Sequence, residues 1–178
     1  MRRSLKTLAR DERGVAALEF ALIAPVMIIV FFGIVEAGQA VIAGRRTAHA
    51  ASALADLATQ NAKFTDADVS DSFAAAAAML KPMDTINLTL KLTSVTANAQ
   101  GVPKVDWSEA QGMAKDTAGS TYTGLPAGLI VAAGDTAIIS TAKYTLIQAS
   151  KTVIKQDLAY SKMSYTHPRA GTVVRTAS

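Results

Sequence analysis

Between Gly14 and Gly38 the chain reads GVAALEFALIAPVMIIVFFGIVEAG. From Val15 to Val35 there are 21 residues, and Glu19 is the only charged one. Coiled as a helix rising about 1.5 Å per residue, this segment spans about 31 Å, the thickness of a bilayer's hydrocarbon core. Such a run constrains everything after it. Either the rest of the chain folds on one side of a membrane, or the run is removed as a signal peptide.

The charge distribution bears on that choice. Arg2, Arg3, Lys6, Arg10 and Arg13 precede the apolar run. With Asp11 and Glu12 they give residues 1–14 a net +3, most of the chain's formal +4. The basicity is therefore a property of a leader, residues 1–14, which is left out of fold reasoning. Its reading is topological: positive charge stays on the cytoplasmic side, placing the N-terminus inside and the remainder outside. Arg45 and Arg46 pull mildly the other way. Little is left to suggest nucleic acid, and none is expected as a partner. A conventional signal peptidase would find a small-x-small site at Ala48-His49-Ala50, but the apolar run is too long and ends well before it. A plain uncleaved anchor is a further alternative.

Glu19 narrows the reading. A carboxylate inside a hydrocarbon segment costs a few kcal/mol, so it normally has a partner or a function. It lies five residues past Gly14 and is followed by Phe20. A basic leader, a glycine, four small or apolar residues and then Glu-aromatic resembles the processing site of type IV pilin-like proteins. The longer pattern AxxEFALxxPxxxxxxFGIxExG resembles the TadE/TadG-like minor pilins (pseudopilins) of the tight-adherence pilus system. Ala16, Glu19, Phe20, Ala21, Leu22, Pro25, Phe32, Gly33, Ile34, Glu36 and Gly38 occupy its positions, and the likeness covers residues 14–46. A weaker echo is the segment Tyr160 to Arg169, closing in His167-Pro168-Arg169.

The resemblance implies cleavage by a prepilin peptidase between Gly14 and Val15. The cut removes the basic leader and frees the Val15 amine, one helical turn from Glu19. In packed pilin-like subunits such a glutamate neutralises an N-terminal amine, commonly a neighbour's, and in low dielectric the pairing is selective. The competing reading of Glu19 is a side chain reaching back to the headgroups. The resemblance also implies helix packing through Phe20, Pro25, Gly33, Glu36 and Gly38. Its partners are other minor pilins or the major pilin, the prepilin peptidase, the inner-membrane assembly platform and the lipid bilayer.

Downstream, 178 residues leave room for one membrane helix and one modest domain. From Ala37 to Asn61 there is no proline and much alanine, so the helix is expected to run over residues 15–61. Val41, Ala48, Ala51, Leu54, Ala55 and Ala58 form one amphipathic stripe. Ala40, Gly44, Ala48 and Ser52 form a row of small residues that permits close packing, against the chain's own domain or a partner. After a break at residues 62–65, Thr65 and Asp68 start a second helix with a capping box. It runs from Asp66 to about Leu80 and ends at Lys81-Pro82.

The period then changes. Ile86, Leu88, Leu90 and Leu92 alternate with polar residues as in a half-buried strand. Val102 to Trp107 follows the Asn98–Gly101 turn as its hairpin partner, residues 108–128 read as irregular, and Thr136 to Ile147 and Leu158 to Thr166 are further strands. The expected fold is α+β, an antiparallel sheet laid on the outer half of the long helix. The extracytoplasmic domain is bounded at residues 62–170, with 171–178 a flexible tail.

The chain has no cysteine and two histidines, His49 and His167, far apart in sequence. This excludes a disulfide framework and thiolate sites. Asp66, Asp68 and Asp71 lack the glycine and closing glutamate of a calcium loop, and neither a phosphate-binding loop nor a nucleophile elbow occurs. No cofactor, metal or enzymatic activity is expected. The expected role is that of a single-pass inner-membrane pseudopilin. The alternative is an uncleaved single-pass protein whose outer domain is a binding module, which would tolerate Glu19→Leu.

Overall fold

The computed structural model of the chain describes residues 13–60, 62–148, 150–169 and 171–176. The leader before Arg13 lies outside these residues. Helix α1 covers Arg13–Ala58 and continues through Pro25. The chain divides into two compact units. One consists of α1 as far as Gln39 with Gln148–Gln156, and the other of Ala40–Ile147 with the residues from Asp157 onward.

In the second unit the order is the remainder of α1, β1 (Lys63–Phe64), α2 (Asp66–Ala78), β2 (Leu88–Ala97), β3 (Pro103–Gln111), β4 (Thr136–Leu146), β5 (Leu158–Thr166) and β6 (Val174–Arg175). This is the expected α+β architecture of a long helix, a short helix and a small antiparallel sheet. Strands β2 to β5 form that sheet in the order β3-β2-β4-β5. β1 and β6 pair in parallel, Lys63 with Val174 and Phe64 with Arg175.

The capping box at α2 is complete. The Thr65 hydroxyl accepts the N–H of Asp68, whose carboxylate in turn accepts the N–H of Thr65. This satisfies two amides that no helical carbonyl can reach. Two hydrogen bonds from Thr65, first from its N–H and then from its hydroxyl, hold the Asp68 carboxyl below its ordinary pKa.

The main core lies between α1 and one face of the sheet. Ala43, Ala50, Ala51, Leu54 and Ala58 of the helix meet Leu90, Leu92, Ile138, Ala142 and Tyr144. Their spacing of three, four and seven is that of one helix face. Small side chains bring the helix backbone close to the strands. The buried Ser140 hydroxyl donates to the Ala51 carbonyl at 2.5 Å, and the Tyr160 hydroxyl to the Ala40 carbonyl at 2.7 Å. Gly44 belongs to this approach, because a Cβ there would stand 3.1 Å from the Tyr160 ring.

The opposite face of the sheet carries a second cluster. Val95, Val105 and Ile139 are covered by Tyr122, Leu125 and Ile130 from the irregular segment after β3, together with Tyr165. A β-bulge distributes β3 between the two cores. Ser94 faces Trp107 and Val95 faces Val105, so Asp106 is the extra residue. An inserted residue breaks the alternation of faces. Val105 and Trp107 therefore lie in different clusters although two positions apart.

Four expectations change. Residues 108–111, read as irregular, extend β3 and pair with Leu90 to Thr93 of β2. Ile86 is 83% exposed and precedes β2, and Val41 lies off the buried stripe at 57% exposure. The stretch from Gly171 is not a loose tail over its described residues. Val173 is buried, its carbonyl accepts the Trp107 indole N–H at 2.8 Å, and Arg175 pairs with both Glu109 and Asp66. Trp107 also stacks on Phe64 with ring centroids 5.7 Å apart. Nothing local to the tail marks this anchor, because the indole that holds it lies 66 positions away.

Candidate functional site: an apolar helix and a carboxylate clasp

The first unit has little interior of its own. Leu18, Phe20, Leu22, Val26, Phe31 and Ile34 are among the large apolar side chains that α1 exposes there. The helix is long and apolar enough to cross a membrane, and its most apolar 18 residues are not buried in protein. A contiguous exposed apolar surface marks a site of membrane or protein contact.

Two carboxylates bracket the most apolar part. Between Glu19 and Glu36 lie the 16 residues Phe20 to Val35, none of them polar, which rise about 24 Å as a helix. Their surroundings differ. Glu19 is exposed, one turn beyond Val15, itself 51% exposed. Glu36 is 2% exposed.

The partners of Glu36 come from the segment Ser150–Ile154. Oε1 accepts the Ser150 hydroxyl and the Thr152 N–H, the latter at 2.8 Å. Oε2 accepts the Val153 N–H at 3.1 Å and the Ile154 N–H at 2.6 Å. Each oxygen thus receives two donors, the arrangement an acceptor-only carboxylate demands. Lys151 takes a φ of +49°, and the three N–H groups after it converge on the anion. Consecutive amides of this kind make an anion-binding concavity. Beside the clasp, Val153 packs on Gly33, one methyl standing 3.5 Å from where a Cβ would be.

Of the residues singled out in the sequence, the fold brings Gly33 and Glu36 together around one loop. Gly14, Val15, Glu19, Phe20, Pro25 and Gly38 are spread along exposed helix surface. The sequence reading did not identify Ser150, Thr152, Val153 and Ile154. No local motif marks them, since main-chain groups supply three of the four donors.

Elsewhere, titratable groups serve structure. Asp135 accepts the N–H groups of Ala132 and Val131, in that order of influence, and these hold its carboxyl below the ordinary range. Among the described residues no three His, Asp or Glu side chains are grouped to hold a metal ion.

Neither the curated proteins nor the solved structures include a match to this chain. The family model described as TadE-like protein matches residues 14–56, so the long N-terminal helix, with both bracketing carboxylates, is TadE-like.

Proposed function

We propose that this chain is a membrane-anchored pseudopilin that acts in assembly of a tight-adherence type IV pilus, after a prepilin peptidase has cut it between Gly14 and Val15. The observation that carries the reading is the TadE-like helix itself, exposed and apolar, with Glu19 one turn past the cut. Cleavage gives Val15 a positive amine at the membrane boundary. An ionised Glu19 within the apolar layer is costly alone and is offset by such an amine, on the same or a neighbouring subunit. The protein sits in the inner membrane with its N-terminus cytoplasmic. Its helix packs with other minor pilins or the major pilin on the assembly platform, and the sheet unit gives those contacts specificity. It is not an enzyme.

The test is the intact mass and N-terminal sequence of the membrane-extracted protein, from cells with and without prepilin peptidase. The expected chain starts at Val15 only when the peptidase is present. A start at Met1 in both would overturn the processing step and leave an anchored binding module. A start near Ala51 would mean a secreted domain.

A further inference from the structure

We propose that the loop Ser150–Lys155 is a second membrane contact, inserting Val153 at the C-terminal edge of the apolar layer and setting Lys151 and Lys155 against acidic lipid headgroups. The inference rests on the membrane reading of α1. Its first support is depth. With the hydrocarbon layer filled by residues 15–35, Gly33 lies about 3 Å inside its edge. Val153 packs directly on Gly33 and is still 46% exposed, so its outward surface meets lipid at that level.

The second support is hydrogen bonding. Irregular backbone is excluded from an apolar layer because its N–H groups find no acceptor there. In this loop Thr152, Val153 and Ile154 donate to the Glu36 carboxylate instead. The clasp thus satisfies three of the loop's N–H groups at the membrane edge. The third support is charge. Lys151 and Lys155, both exposed, flank the inserted valine, and lysine stems extend from an apolar edge to bring their ammonium groups to phosphates.

The chain contains no cysteine, so single cysteines can be labelled directly. Val153→Cys, Lys155→Cys and Ile28→Cys variants of the full chain, each carrying an environment-sensitive fluorophore, would be reconstituted in phosphatidylethanolamine vesicles with and without phosphatidylglycerol. Quenching by lipid-borne nitroxides would be compared with quenching by aqueous iodide. The expected result is lipid quenching at residue 28 from deep nitroxides and at residue 153 from shallow ones. Residue 155 should respond to both quenchers. Phosphatidylglycerol should strengthen lipid quenching at residue 153, and Lys151→Gln with Lys155→Gln should remove that gain. A residue 28 label quenched by lipid beside residue 153 and 155 labels reached only by iodide would overturn the loop proposal and leave the span intact. An iodide-quenched residue 28 would overturn the membrane reading itself. Equal quenching with and without phosphatidylglycerol would overturn the role given to the lysines.

Discussion

Oε2 of Glu36 accepts the backbone N–H of Ile154 at 2.6 Å, joining residues 118 positions apart. Three consecutive amides depend on this one carboxylate, so its removal should free the loop as a unit. In Glu36→Ala, amide hydrogen exchange over residues 150–154 is expected to rise to that of an open loop, with β2 and β4 unchanged. Glu36→Gln should lie between, because its amide nitrogen faces donors where an acceptor is required. Exchange measured by mass spectrometry on the full chain in detergent checks both.

Leu54 and Leu18 are both on α1 but in different surroundings. Leu54 is 0% exposed in the core and Leu18 is 73% exposed. Leu54→Ala is expected to destabilise the sheet unit by about 2–5 kcal/mol, through lost burial and a residual cavity. Leu18→Ala should change the same unfolding transition by less than about 0.5 kcal/mol. Denaturant titration followed by Trp107 fluorescence separates the two.

Trp107 holds the C-terminal segment by its indole N–H, donated to the Val173 carbonyl at 2.8 Å. Trp107→Phe keeps a ring against Phe64 but leaves that carbonyl without this donor, at a cost of about 1–3 kcal/mol. Faster proteolytic trimming beyond residue 171 should accompany the loss of stability.

Acid should weaken the sheet unit through Asp68 and Asp135. Both folded carboxyls titrate below the ordinary 3.8 because N–H groups, of Thr65 for Asp68 and of Ala132 and Val131 for Asp135, favour the anion. The lowered folded values mean that the unfolded chain takes up protons first as pH falls. Their stabilisation is therefore complete above about pH 4 and is lost as pH drops through the folded values. Asp135→Asn should lower the neutral-pH melting temperature and flatten its fall in acid, read from thermal scans across pH.

The parts of the fold legible in the sequence were those with local causes. The apolar run and its alanine-rich continuation specify α1, the Thr65–Asp68 pair specifies the start of α2, alternation marks β2 and β5, and the Asn98–Gly101 turn marks β3 as the hairpin partner of β2. What stayed hidden depends on distant partners. Asp106 looks like any strand residue, yet as the bulge it sends Val105 and Trp107 to opposite cores. The glycine-rich stretch after β3 reads as irregular, and it is, but Tyr122, Leu125 and Ile130 in it cover the second face of the sheet. At the candidate site Glu36 was legible only as a motif position. Its partners are mostly main-chain amides more than a hundred residues away, and amides carry no sequence signature.

The alanines on the inner face of α1 also limit how this chain can vary. Ala43, Ala50, Ala51, Ala55 and Ala58 are at most 1% exposed. A larger side chain there would push the helix off the strands, and glycine would cost it about 1 kcal/mol in helix propensity. Descendants of this sequence are therefore free to diverge almost entirely along the outward side of the helix.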